Sequence, residues 1–484
     1  MAINLSIPEV QTRDKRIGTV INFHGSATEL AELSQTRQIK DTVRKFSQCS
    51  DCSQRCCEGE IYLIRGAAVV SHSPIGCCSP EGHQINIVNS SKARNLKPDD
   101  VHVICSNISE KDTVYGGLEK LRIAVDEAKR RFNPTAIFIM SSCAAGIVGD
   151  DIESVADEKE SELGIPIIPI YCEGFKSKTW SSGFDAAFHG ILRKIVKPCV
   201  KRDENRINVI NFHGKDTFSP LLSKLNLTTN MLLPLSTIEQ LEHISEAACS
   251  TQICETLGSY ICEALEEKFE VPQVKSNSPY GLAWTDEWIR AIAKITAREK
   301  LGEEVIESEH KRIEKDIKEL REKLSGKKAY IYAGDSFSHI FTNMAHEFGI
   351  NVVGVASLHH DQHRDSKDEK LNSLNEMLKV TGDIPNMTVC NKQPFIMTKV
   401  LQQYELDILI TRHISVGVVG TKLGIPSFRI TDPNTIMGYD GLITFGKRIL
   451  EAIEAKNFYK TIGEHNVLPY SKWWLENPDP YFFN

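Results

Sequence analysis

Short, unbroken apolar runs alternate along this chain with stretches in which apolar residues recur every three or four positions. The runs read as strands buried on both faces, and the periodic stretches as helices packed against them. Residues 100–107, DVHVICSN, predict a strand; 116–132, GGLEKLRIAVDEAKRRF, an amphipathic helix; and 135–142, TAIFIMSS, the next strand. IPIIPIYC at 165–172 and WSSGFDAAFHGILRKIV at 180–196 repeat the pair. Such alternation predicts parallel sheets with crossover helices.

The pattern restarts twice. RINVINFHG at 206–214 follows a charged segment, KPCVKRDENR, that reads as a linker. EHKRIEKDIKELREKLSGKK at 309–328 predicts a long charged helix ended by Gly326, after which AYIYAG begins another strand. INVVGVAS, LDILITR and IPSFRIT continue that last unit. The expected fold is therefore α/β, with three Rossmann-like domains of mainly parallel sheets over residues 1–204, 205–325 and 326–484. VINFHGS at 20–26 and VINFHGK at 209–215 suggest structurally equivalent strand ends.

At 484 residues the chain is too long for one ordinary core. A net charge of -7 without a basic block argues against nucleic acid as a partner. No apolar run approaches the roughly 20 residues that span a bilayer, which argues against membrane insertion. The start, MAINLSIPEVQTRDKR, lacks the basic and apolar regions of a secretory signal, so a cytoplasmic location is expected.

In that compartment fourteen cysteines point to thiolate chemistry, metal ligation or packing rather than disulfides. CSDCSQRCC carries Cys49, Cys52, Cys56 and Cys57, and HSPIGCC carries Cys77 and Cys78. A zinc site shows paired half-sites; one CxxC followed by uneven spacings suits an iron–sulfur cluster fed from several loops. Cys105, Cys199 and Cys262 stand singly in apolar or helical patterns and read as packing residues. Cys143 lies in IFIMSSCAAGIVGDDI, where a strand gives way to a helix. Ligands collect at such strand ends, and helix N-terminal amides favour a thiolate. Cys77 follows a similar apolar run, so both are candidates for one cluster.

These segments resemble component 1 of nitrogenase, in its alpha-type form. The resemblance rests on SHSPIGC (71–77), VYGGLEKL (114–121), SSCAAGIVGDDI (141–152), CEGFKSKTWSSGFDAAFHG (172–190) and CETLGSYICEALEEKFEVP (254–272). It implies three Rossmann-like domains. It also implies that Cys77 and Cys143 ligate a bridging iron–sulfur relay cluster, P-cluster-like or 4Fe–4S. Cys254 would anchor a complex iron–sulfur catalytic cluster whose heterometal the sequence leaves open. For the third relay ligand, Cys52 lies 25 residues before Cys77, a spacing similar to that of some family members, with Cys49, Cys56 and Cys57 competing.

The departures from the family are specific. Trp180 and Phe184 stand where molybdenum nitrogenase has a glutamine and a histidine, and Asp432 stands near its histidine ligand. Ser336, Ser338 and His339 replace the arginines expected beside the cofactor. The resemblance therefore implies a nitrogenase-like reductase, such as methylthio-alkane reductase cleaving C–S bonds, with Trp180, Phe184 and Asp432 lining the pocket. A cofactor-assembly scaffold and a dinitrogenase alpha subunit are the alternatives. SLHHDQHRD offers His359, His360 and His363 after a strand; its bland reading is a solvated polar loop. His360 is the candidate proton carrier, with Arg412 and His413 in TRHIS for an anionic group on a small-molecule substrate. The chain has no GxxxxGKS/T loop, so ATP hydrolysis belongs to a separate iron protein. A beta-type subunit is implied to complete the bridging cluster.

Overall fold

The computed structural model describes residues 3–40, 52–78, 80–364, 372–390 and 394–477; Cys49 lies outside them. Among the described residues the strands form three sheets and one short two-stranded pair. The first sheet runs Val103–Cys105, Ala67–His72, Ala136–Ser141, Ile167–Tyr171 in spatial order, and every neighbour is parallel. The second runs Thr228–Leu232, Asp203–Ile210, Ala247–Gln252, again all parallel. The third has six strands, with Lys328–Ala333 between Asn351–Ser357 and Ile408–Thr411. The fold is thus α/β with Rossmann-like sheets.

The chain divides into two compact units. Met1–Arg16, Asp51–Val274 and Ile292–Arg298 make the first, which holds the first two sheets; Ile17–Ser50, Lys275–Ala291 and Glu299–Asn484 make the second, which holds the third.

Burial explains the local choices. Every residue of Ala67–His72 and Ala136–Ser141 is buried, as expected of strands covered on both faces. The helix Leu118–Phe132 turns Leu121, Ala124, Val125 and Ala128 inward, at the spacing of a helical stripe, onto those strands. In the second unit, the long charged helix begins at Glu299, well before the expected 309. The reason is that Val305 and Ile306 extend inward the stripe formed by Ile313, Ile317, Leu320 and Leu324. It stops before Gly326, whose φ of +77° favours glycine.

Two expectations need correction. The strand Asp203–Ile210 starts inside the segment read as a linker, because its first residues can stay exposed while the last four are buried. The VINFHG words are not equivalent. Asn22–Gly25 is an antiparallel edge strand paired with Met387–Cys390, whereas the second copy ends a central parallel strand. Pairing partners decide the role of so short a word.

In the first unit, Arg13 grips Asp185 through two bonds, Nε to Oδ2 at 3.1 Å and Nη2 to Oδ1 at 2.6 Å. Arg16 joins the same carboxylate, so the N-terminal segment is pinned to the helix Ser182–Lys194.

Candidate metal-cluster sites

In the first sheet, chain order reverses between Ala67–His72 and Ala136–Ser141, and an α/β sheet opens a crevice at the carboxyl ends of such strands. Cys77 closes the turn Ile75–Cys77 after the first strand, and Cys143 opens the helix Cys143–Val148 after the second. Ser142 caps that helix by accepting the Ala145 N–H at 3.3 Å. Cys52 arrives from elsewhere, as the N-cap of the helix Ser53–Ile61.

Close packing brings the three thiols together. The helices Ser53–Ile61 and Ser182–Lys194 touch at Gly183, where a Cβ would stand 1.9 Å from the Ser53 carbonyl oxygen. Buried Gln54 donates its amide to the Cys77 carbonyl at 3.3 Å. A Cβ on Gly174 would meet the Cys52 sulfur at 3.4 Å and the Cys143 sulfur at 3.6 Å, so both face one small cradle. Burial pushes the Cys52 and Cys77 thiols up, and the neighbouring Cys143 pushes both further; Cys77 also feels Cys52. Grouped thiols that resist ionisation become thiolates when a metal ion supplies the compensating charge. The donor set and the cradle fit an iron–sulfur cluster.

The competing cysteines are engaged differently. Cys57 is fully buried and shares a hydrogen bond with Cys172. Cys56 is half-buried. Cys105 is not the packing residue expected from its pattern: it is half-buried at its strand end, and a hydrogen bond with Cys78 brings its thiol down to about 6. Cys199 is exposed in a loop, and only Cys262 of those three is a core residue.

Sequence segments far apart converge beside this cradle. His72 of SHSPIGC places Nε2 2.9 Å from Oδ2 of Asp150, from the Gly-Asp-Asp segment, and Gly117 of VYGGLEKL donates its N–H to the same carboxylate. Burial lowers the His72 pKa against the pull of Asp150.

Cys254 lies in the second sheet's counterpart position. It follows Ala247–Gln252, is 3% exposed, and caps the helix Glu255–Phe269 with its carbonyl, which accepts from Leu257 and Gly258. Ile210 pairs with Gln252, so Phe212 and Cys254 each stand two residues beyond one register pair. Phe212 packs edge-on to Phe184 at 5.9 Å, and Phe184 to Trp180 at 6.0 Å. Trp180 and Phe184 therefore offer an apolar wall at that strand end. One buried thiol at a helix N-terminus fits the anchor of a cluster.

In the second unit, His360, Arg412, His413 and Asp432 all follow strands of the third sheet. Arg412 stacks its guanidinium over Phe337 at 5.1 Å. His413 caps the helix Ile414–Lys422. Asp432 accepts the Asn434 N–H at 3.0 Å, a capping role. His360 sets Nδ1 3.1 Å from Asp335 Oδ1 and Nε2 2.9 Å from Ser34 Oγ. His359, His360 and Asp361 are buried, so this part of the histidine segment is not a solvated loop. Sequence reasoning missed Asp335 and Asp361; a carboxylate just past the apolar run AYIYAG was the available signal for the first.

Comparison with known proteins gives a consistent result. Residues 52–454 match the family described as nitrogenase component 1 type oxidoreductase. The nitrogenase molybdenum-iron protein alpha chain of Clostridium pasteurianum is 30% identical over 72% of this chain and 67% of its own length. That of Methanosarcina barkeri is 32% identical over 62% of this chain; the match spans 58% of that relative's length. A nitrogenase iron-molybdenum cofactor biosynthesis protein NifE, from Clostridium pasteurianum, is 26% identical over 84% of this chain and 89% of its own. The solved structure of nitrogenase Cp1 at pH 6.5 superposes with a TM-score of 0.70 over 89% of this chain and 92% of its own, at 24% identity. Among the described residues, no helix is long and apolar enough to cross a membrane.

Proposed function

The chain belongs to the nitrogenase component 1 type oxidoreductases, and on that premise we propose that it is the catalytic subunit of a nitrogenase-like reductase acting on a small substrate. Cys52, Cys77 and Cys143 hold a relay cluster, and Cys254 anchors the catalytic cluster. When bound, such clusters supply electron transfer at the first site and reducing chemistry at the second. The partners are a beta-type subunit, which completes the relay cluster, and an ATP-hydrolysing iron protein.

The chain's own residues do the rest. Trp180 and Phe184 exclude water beside Cys254, and an apolar wall there lowers the local dielectric. Arg412 binds an anionic substrate group as a fixed cation, its stacking on Phe337 holding the guanidinium in place. His360 holds a proton between Asp335 and Ser34, and His413 supplies a second imidazole after the strand Ile408–Thr411 of the same sheet. The observation that carries this reading is the convergence of Cys52 and Cys143 on Gly174, with Cys77 electrostatically beside both.

A second reading, an assembly scaffold, is favoured by Asp432, which spends its carboxylate on capping near the family's histidine-ligand position. Anaerobic co-purification with the beta-type partner separates the two. A reductase retains iron at both sites and turns over substrate with its iron protein and ATP. A scaffold transfers its cluster to an apo acceptor and shows no turnover.

A further inference from the structure

The second unit carries a cluster of ligating side chains that uses none of the cysteines. Asp335 opens the helix Asp335–Glu347 after the strand Lys328–Ala333, and His359 and Asp361 follow the adjacent parallel strand Asn351–Ser357. Ala333 pairs with Ser357, so the two carboxyl ends deliver these side chains to one place. One donor atom from each of the three lies within 4.8 Å of the others. Donors about 2.0–2.2 Å from one ion stand at most about 4.4 Å apart, so a small contraction of this set closes it on an ion. His359 is fully buried and Asp361 is 3% exposed.

From this arrangement we propose that Asp335, His359 and Asp361 bind one divalent first-row transition ion, separate from the iron–sulfur clusters. Two carboxylates and a neutral imidazole match the charge of a dication, and their oxygen and nitrogen atoms suit Mn2+, Fe2+ or Zn2+. The surrounding groups orient the ligands, as outer-shell partners of metal sites do. His360 holds Asp335 through Nδ1 at 3.1 Å and is itself fixed by Ser34 at Nε2. The Thr19 hydroxyl donates to Asp361. The antiparallel pairing of Thr19–Val20 with His360–Asp361 fixes that donor in register. His339 sets Nε2 3.9 Å from Asp335 Oδ1, with Nδ1 on Ser373 at 2.9 Å, which places a second imidazole at the rim.

Mn2+ is the discriminating probe, because it prefers carboxylate and imidazole to thiolate and leaves the cysteine clusters alone. The full chain in its purified complex is titrated anaerobically with Mn2+ and followed by electron paramagnetic resonance. The proposal expects one bound ion per chain, with 14N coupling from an imidazole in the spin-echo spectrum. His359→Gln and Asp361→Asn should each weaken binding about 10–100-fold while the cluster iron stays constant. Mn2+ should also raise the melting temperature of the parent more than that of the variants. No binding at millimolar Mn2+, bound Mn2+ without 14N coupling, or equal affinity in a folded variant overturns the site. The spin-echo result decides the question if neither variant folds.

Discussion

Tyr260 donates its hydroxyl to Nδ1 of His189 at 2.7 Å, while the opposite ring nitrogen donates to the Ile7 carbonyl at 2.8 Å. The carbonyl accepts only, so it fixes the proton on Nε2 and leaves Nδ1 to receive the phenol. This bond ties the helix headed by Cys254 to the helix that carries Phe184.

Tyr260→Phe leaves the buried Nδ1 without its donor and should cost about 1–3 kcal/mol. Thermal unfolding measures it directly. An unchanged midpoint would show that the bond contributes nothing.

Gly174→Ala puts a methyl group 2.8 Å from the Cys52 Cβ and between the two sulfurs. The folded chain should then lose relay-cluster iron and electron transfer while the Cys254 cluster is retained. Iron counts and spectroscopy that match the parent would remove Gly174 from the cradle.

Cys254 and Cys262 form an internal control on one helix. Cys254→Ser should abolish substrate reduction and lose the catalytic cluster, with the relay cluster intact. Cys262→Ser should cost stability only, on the order of 1–3 kcal/mol where the hydroxyl stays unsatisfied. The opposite pattern would move the anchor to Cys262.

His83 gives a pH signature. Burial first, then the charges of Arg55 and His213, depress its pKa from 6.5 to about 4. The folded state therefore prefers the neutral ring, while the unfolded chain takes up a proton near 6.5. The stability this supplies is complete above pH 6.5 and is lost as pH falls through about 4. In full it amounts to roughly 3 kcal/mol. Urea unfolding from pH 7 to pH 4 should show a shallower fall for His83→Gln than for the parent. Parallel curves would refute the assignment.

Much of the architecture was legible in the chain. Apolar runs such as IFIM and IIPIY become strands because burial on both faces demands them, and the stripe Leu121, Ala124, Val125, Ala128 becomes a helix by spacing alone. The placement of Cys77 and Cys143 at strand ends followed from the same periodicity, whereas Cys254 was marked only by the family resemblance.

Side-chain neighbours separated by long stretches of chain were decided only by the fold. Cys105 reads as apolar packing, yet parallel pairing sets its strand end beside Cys78. HHDQH reads equally as a solvated polar loop or as ligating and proton-carrying imidazoles; the fold buries His359 and His360, with His360 held by a carboxylate and a serine hydroxyl. Cys52 stands out from Cys56 and Cys57 because its sulfur lies against Gly174 beside that of Cys143, while the two helices touch at Gly183. Periodicity records which face of an element meets the core, a local property of hydrophobic burial. Which side chains converge at the strand ends depends on the order in which strands pair, and that is settled when the whole sheet closes its hydrogen bonds.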